Sequence, residues 1–461
     1  MALPCQATAD SATVAGSGRR AENGGVTLRS APTLVDLRRA CQQPYAAWLD
    51  SALADGRSGV TSFLGVEPFL VMRSRGEAIE LWTRGATHRF SGDPFATLRE
   101  LLRENARKAE GVQTGGRLPA ALGYLSYELK RFVERVPQRA VDDLALPECY
   151  LCFYDRVQAF DARPLAVDAA SLPRVSPLGE TDAPPSNFTR REYVDAVRRA
   201  LDYIVAGDIY QVNLSQRFCL PLPGDPLETY LELRRRNPAP FAAYLNLPEA
   251  QLLSASPERF LRLEAGSRRV QTRPIKGTRP RGRWPEEDER LARELLRSEK
   301  DRAENVMIVD LERNDLGRVA EVGSVRVREL AALETFPTVH HLTSTIEATL
   351  GEGRDAIDLL RATFPGGSIT GAPKIRAMEI IDELEPTARS VYTGAIGRLG
   401  FDGSLDLSIA IRTIIAKDGV AYFQAGGGIV ADSDPELEYE ETLHKAAGLM
   451  SVLAAEPSRT G

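Results

Sequence analysis

The sequence predicts an α+β fold whose sheets are mostly antiparallel, on three observations. From Ile209 to Leu220, Tyr210, Val212 and Leu214 alternate against Gln211, Asn213 and Ser215, the two-residue period of a strand. Tyr392 to Ile415 reads as a hairpin that turns at Asp402-Gly403. Amphipathic helical stretches with clear start signals are interspersed with such strands, without the regular β-α alternation of a doubly wound parallel sheet.

The elements follow in order. Residues 1–30 are rich in Ala, Ser, Gly and Thr, carry no apolar periodicity or signal-like apolar run, and read as a disordered tail. An N-terminal region, 31–162, ends with a strand-like stretch around Cys149-Tyr150-Leu151-Cys152. Residues 163–188 hold Pro164, Pro173, Pro177, Pro184 and Pro185 and read as a linker or long loop. Thr189-Arg190-Arg191-Glu192 matches a capping box and opens a helix through Val205, which Gly207-Asp208 ends. Pro285-Glu286-Glu287-Asp288 starts a helical pattern that runs to about Leu316, because Pro suits the first turn and acids the positive dipole end. Glu436 to Leu453 reads as the last helix, closing a second region of 189–455. No internal repeat is present.

Composition bounds the function. The 461 residues carry 58 Lys+Arg against 64 Asp+Glu, a net charge of −6, which argues against a nucleic-acid partner held through phosphates. No apolar run reaches membrane-spanning length, so no membrane partner is expected. Five cysteines, Cys5, Cys41, Cys149, Cys152 and Cys219, fit a reducing cytoplasm better than a disulfide framework. With only 4 His, a bound metal would fall to carboxylates, which points to Mg²⁺.

Several stretches carry chemistry. Gly426-Gly427-Gly428 follows a strand and lets backbone N–H groups approach a ligand, although a bulge or tight corner explains it equally well. Pro365 to Lys374 and Gly394 to Gly400 fail the P-loop and dinucleotide patterns. Glu438, Glu441 and Lys445 share one helix face, and Glu304 lies on another helix. Two such glutamates with water and a substrate carboxylate would suit Mg²⁺, but on spacing alone a solvated salt-bridge face is the better reading, since charged helix faces are common. Lys276 stands between Ile275 and Gly277 at a strand end, eighteen residues after Glu258, so a nucleophile and an acid near one substrate are available. From these residues alone, a surface lysine and an ordinary ion pair are the better reading.

Taken together, Gly207 to Arg217, Ser256-Pro257-Glu258-Arg259-Phe260, Pro274-Ile275-Lys276-Gly277-Thr278, Val309 to Gly317, Phe364 to Lys374 and Gly426 to Lys445 resemble one family. It is the chorismate-utilising group of anthranilate, aminodeoxychorismate and isochorismate synthases. Ser62 to Gly65 and Gly123 to Glu128 extend the resemblance over nearly the whole chain. The resemblance implies two orthogonally packed antiparallel sheets surrounded by helices, with the active site between subdomains. Within the group, anthranilate synthases typically carry Ala where Lys276 stands and aminodeoxychorismate synthases carry Lys, whereas isochorismate synthases carry Lys where Gln211 stands. The sequence therefore resembles the aminodeoxychorismate branch, which serves 4-aminobenzoate and folate synthesis. The alternatives are component I of an anthranilate synthase and, in a different class, a non-catalytic binding regulator.

That resemblance assigns roles. Lys276 is the nucleophile on chorismate and Glu258 the general acid. Glu304 and Glu441, with Glu438 nearby, hold Mg²⁺. Tyr392 and Arg412 meet the enolpyruvyl carboxylate, and Ser368, Gly426, Gly428, His341 and Lys445 line the substrate site. Ammonia comes from a glutamine amidotransferase subunit, because no Gly-x-Cys-x-Gly nucleophile motif surrounds any cysteine. Ser51 and the Ser62-Phe63 region would lie near a tryptophan pocket that some members possess.

Overall fold

The computed structural model describes residues 32–53, 61–109, 117–161, 184–336 and 339–454. The expected tail and nearly all of the Pro-rich linker lie outside the described residues. The N-terminal region comprises α1 (Leu34–Cys41), β1 (Ala46–Asp50), β2 (Thr61–Gly65), β3 (Leu70–Arg75), β4 (Ala78–Thr83), β5 (Ala86–Ser91), α2 (Pro94–Ala109), β6 (Arg117–Leu125) and β7 (Cys149–Asp161). The next stretch comprises α3 (Arg190–Val205), β8 (Gln211–Pro221), α4 (Pro226–Arg236), β9 (Phe241–Asn246), β10 (Gln251–Ser256), β11 (Arg259–Leu263), β12 (Arg269–Arg273) and β13 (Ile275–Pro280). Then follow α5 (Pro285–Arg297), α6 (Glu299–Gly317), β14 (Arg326–Thr335), β15 (Val339–Thr349), α7 (Ala356–Thr363), β16 (Gly371–Ala372) and α8 (Lys374–Leu384). The chain ends with β17 (Ala395–Gly400), β18 (Leu405–Ile409), β19 (Thr413–Lys417), β20 (Val420–Ile429) and α9 (Pro435–Leu453).

All pairings between the named strands are antiparallel, and most of them form two arms that meet at β7, with β3-β4-β5 as a further branch and β16 on β8. The first half of β7 pairs with β3 and its second half with β2, while its other edge pairs with β6. One arm runs β2-β1-β9-β10-β19-β20-β8. The other runs β6-β17-β18-β11-β12-β15, with β13 and β14 also on β15. β1 pairs with β9 and β6 with β17, so the regions on either side of the linker share one sheet network. Cys149 and Cys152 are buried, unpaired packing residues in β7, as the strand reading requires.

The helix signals act where the sequence places them. Thr189 caps α3, accepting from the Glu192 N–H while the Glu192 carboxylate accepts from the Thr189 N–H at 2.8 Å. Tyr193, Val194, Val197 and Ala200 then bury one face of α3. Thr189→Ala removes one half of that box and should cost about 1 kcal/mol, read as a lower denaturation midpoint. An unchanged midpoint would show that the cap adds nothing to global stability. One expected element is corrected: the helix read from Pro285 to Leu316 is two helices. Ser298 leaves helical geometry (ψ 108°) and its hydroxyl caps α6 by accepting from Asp301 N–H. A new N-cap serine stops the first helix and starts the second in one residue. The triple glycine is also corrected: it lies within β20, opposite Ser215, Leu214 and Asn213 of β8, and does not follow the strand.

Candidate active site

The two arms are joined by chain crossings, and those crossings carry the chemistry. Glu258 lies where the chain leaves β10 of one arm for β11 of the other. Arg412 lies where it returns from β18 to β19. β13 and β15 bring Lys276 and His341, β8 and β20 bring Gln211 and the glycines, α6 brings Glu304, and α9 brings Glu438, Glu441 and Lys445.

Lys276 Nζ donates to Glu304 Oε1 at 2.8 Å, and the Gln211 amide donates to the same oxygen at 2.7 Å. Burial pushes the Glu304 carboxyl up, but Lys276 outweighs it and leaves its pKa below the ordinary value. Lys445 Nζ bonds Glu441 Oε1 at 2.5 Å and the Gly426 carbonyl at 3.0 Å. Lys445 holds the Glu441 carboxyl down, and Glu441 raises Lys445 against the effect of burial. Both side chains stay nearly half accessible (47% for Glu441, 43% for Lys445), so they line an open cleft, although protein surrounds them closely.

Glu438 accepts from the Ser433 hydroxyl at 2.6 Å through Oε1, while its buried Oε2 has no partner among the described residues. A Cβ on Gly427 would stand 2.9 Å from Glu438 Oε2 and 3.5 Å from Glu441 Oε1; one on Gly428 would stand 2.6 Å from Glu304 Oε1. Three carboxylates therefore converge on this bare backbone. Among the described residues no three His, Cys, Asp or Glu side chains close into a complete metal cage. An all-oxygen set completed by water and a ligand carboxylate still suits Mg²⁺, which keeps waters and takes few protein ligands. Gly428→Ala should disrupt it, since its Cβ would lie 2.1 Å from Gln211 Nε2 as well. The expected outcome is a Mg²⁺ requirement raised about tenfold or more in a titration, the scale of disturbing ligand support. An unchanged Mg²⁺ requirement would mean the glycine is dispensable there.

Glu258 is buried, and burial pushes its carboxyl up to about 7, with Ser368 and Lys276 facing it and pulling the other way. It is thus an acid able to hold a proton near neutrality. Behind it Glu312 accepts from Thr272 at 2.9 Å and is raised to about 8 by burial and by Glu258. Ser368 sits in a 3₁₀ turn, Gly367–Ile369, with its hydroxyl buried and unpartnered.

His341 is buried and driven down to about 3, first by burial and then by the nearby Arg412 charge, so its ring is neutral. Its Nδ1 lies 2.8 Å from the Thr278 hydroxyl, and its Nε2 has no partner. Arg412 adopts a left-handed backbone (φ 49°), a strained state for a long side chain. Among the described residues its guanidinium has no ion-pair partner, and loss of solvent lowers its pKa. An uncompensated, half-buried cation is an anion site in waiting. Tyr392 lies at the turn before β17, buried, and burial lifts its phenol to about 12, so it stays a donor.

All twelve expected site residues lie on the elements that border this cleft. Three residues were not assigned to it. Gln211 lies inside it, and the available signal was that it stands where isochorismate synthases carry Lys. Arg389 and Glu385 form a buried ion pair at 2.6 Å beside Tyr392, which no local pattern announces. Ser51 and Ser62 do meet, with Ser51 N–H on Ser62 Oγ at 3.0 Å. Around them are Asp50, Tyr230 and Arg234, with Trp48 against Arg234 and Tyr230.

The comparisons agree with this architecture. The chain matches the chorismate binding enzyme family over residues 50–451. It is 43% identical over 426 residues to aminodeoxychorismate synthase component 1 of Klebsiella aerogenes, covering 89% of this chain and 94% of that protein. It is 46% identical over 356 residues to anthranilate synthase component 1 of Thermus thermophilus, covering 72% and 77%. It superposes on the crystal structure of anthranilate synthase component I from Streptococcus pneumoniae with a TM-score of 0.72 at 33% identity, covering 85% and 92%. The chain is a member of the chorismate binding enzyme family.

Proposed function

We propose that this chain is the chorismate-aminating component of an aminodeoxychorismate synthase, making 4-amino-4-deoxychorismate for 4-aminobenzoate and folate synthesis. Overall identity does not choose between the aminodeoxychorismate and anthranilate branches, since relatives of both kinds are 43% and 46% identical. One observation carries the choice: a lysine, Lys276, projects into the cleft beside Glu304 and Glu258. Covalent catalysis needs a nucleophile there, and an alanine supplies none.

In this reading Arg412 and Tyr392 hold the enolpyruvyl carboxylate, and Lys445 with the Gly426 and Gly428 backbone frames the ring. Ser368 and His341 flank the reacting side. Mg²⁺, when bound by Glu304 and Glu441 with Glu438, would neutralise and anchor the ring carboxylate. Lys276 leaves Glu304, gives its ammonium proton to water in the open cleft and attacks C2 as the neutral amine. Both ring double bonds shift (C1–C2 to C1–C6, C5–C6 to C4–C5), the C4–O bond breaks, and the Glu258 proton goes to the departing hydroxyl, giving water. Ammonia then attacks C4, both double bonds shift back, the C2–N bond breaks, and its electron pair returns to Lys276, which regains its proton from water. One proton of the new C4 ammonium goes to the Glu258 carboxylate, which restores the acid.

The Klebsiella aerogenes relative is a component 1, and a separate partner fits that name; a glutamine amidotransferase subunit would supply the ammonia. No helix among the described residues is long and apolar enough to cross a membrane. The described residues near Ser51 and Ser62 leave a tryptophan role to be tested by binding. The test of function is incubation with chorismate, Mg²⁺ and ammonium, with and without an aminodeoxychorismate lyase. The 4-amino product, converted by the lyase to 4-aminobenzoate, is expected. Anthranilate as the main product would overturn the reading, and no turnover by folded protein would favour a binding role.

A further inference from the structure

The mechanism above leaves one reactant without a seat. Ammonia is small and neutral, has three N–H donors, and must keep its single lone pair free for carbon. A site for it therefore needs uncharged acceptors. A carboxylate would favour ammonium, whose lone pair is already spent on a proton.

The polar face of β8 supplies such acceptors. Gln211, Asn213 and Ser215 point the same way, and Ser215 is spoken for: its hydroxyl donates to Glu385 at 2.8 Å. Gln211 is 1% exposed and its amide nitrogen is fixed on Glu304, so its carbonyl oxygen must face away from that carboxylate. That Oε1 is buried and has no partner among the described residues. Asn213 is 8% exposed, and its Oδ1 is likewise buried and unpartnered. Two orphaned amide oxygens on successive positions of one strand face are unusual, because buried polar atoms are nearly always paired.

Their placement is fixed rather than incidental. Asn213 N–H donates to Thr370 O at 2.7 Å, and Arg389 clamps the carbonyls of Asn213 and Ile369 together at 2.8 and 2.9 Å. This holds Asn213 alongside the turn that carries Ser368, whose hydroxyl is also unpartnered and faces Glu258. On the other side, Gln211 and Lys276 share one Glu304 oxygen. Asn213 thus lies between the lysine end of the cleft and the Ser215 and Tyr392 end.

We propose that the carbonyl oxygens of Asn213 and Gln211, with the Ser368 hydroxyl, form the seat of the ammonia nucleophile. This rests on the reading of the chain as a chorismate-aminating enzyme. The three acceptors hold the N–H bonds and leave the lone pair for C4. The amides are too weakly basic to take a proton from ammonia or to give it one.

Asn213 is the member to test, because Gln211 also touches Glu304. Asn213→Leu keeps the side-chain shape and removes the acceptor. With ammonium as the nitrogen source, its KM for ammonia should rise about tenfold, the scale of one hydrogen bond. Formation of the Lys276 adduct from chorismate without ammonia, followed by intact-mass spectrometry, should keep the wild-type rate. Asn213→Asp, the same size and polar, covers the case where the leucine variant fails to fold. It should form the adduct normally yet turn over at least tenfold more slowly at saturating ammonium, since a carboxylate holds the cation. An unchanged ammonia KM, or adduct formation slowed in parallel with turnover, would overturn the seat. Wild-type protein that forms no adduct or makes anthranilate would instead overturn the functional reading, so the two failures are distinct.

Discussion

Replacing Lys276 by alanine should abolish the covalent adduct with chorismate and lower 4-amino product formation by roughly 10³-fold or more, the scale seen when a covalent nucleophile is removed. The side chain is placed by two constraints. β13 pairs with β15 at Lys276 opposite Leu342, and the bulge between Lys276 and Thr278 is formed at Gly277, whose φ is 78°. A Cβ at 277 would lie 3.0 Å from Leu295 and from Asp301, so only glycine lets α5 and α6 close over the strand. Alanine at 276 leaves this backbone intact, so the protein should fold, bind chorismate and stall. Intact-mass spectrometry after incubation without ammonia reads the adduct directly. An adduct on any other residue, or undiminished amination, would remove Lys276 from its proposed role.

Glu258→Gln should slow adduct formation by about 10² to 10⁴, the usual contribution of a general acid. Glutamine keeps the shape but has no proton for the departing hydroxyl. The pH profile gives the sharper reading. Burial raises the Glu258 carboxyl to about 7, so the acid is protonated below that pH and lost as pH rises through it. The rate advantage of wild type over the glutamine variant in adduct formation should therefore shrink as pH rises above about 7. A wild-type-to-variant ratio that stays constant from pH 6 to 9 would show that Glu258 is not the acid. The glutamine variant should also be no less stable than wild type above pH 7, because an acid with a raised pKa costs stability once it must ionise.

These effects depend on residues from opposite arms of the sheet network, and that limits how far the sequence could be read. The capping box at Thr189, the strand from Gln211, the hairpin at Asp402-Gly403 and the last helix were legible because each is a local pattern. The break at Ser298 was not, because helical patterning continues on both sides of one residue that merely changes its ψ. The triple glycine looked like the end of a strand, since glycine weakens a strand in isolation. In the fold it is held by pairing with β8 along its whole length, and its bare backbone is what three glutamates approach.

By itself the sequence determined the element types, the all-oxygen character of any metal site and, through its ordered motifs, the family. Those follow from residue identity and short-range spacing, which folding does not alter. Tertiary structure alone decided which charges meet. Glu304 and Lys276 are 28 residues apart, and Glu304 and Gln211 are 93 apart, yet all three share one oxygen. It also decided that Glu258 is acidic near neutrality, that His341 is neutral and that Arg412 has no ion-pair partner among the described residues. A side chain's protonation and partner are set by the dielectric and the charges within a few ångströms. In this chain those neighbours arrive from the other arm.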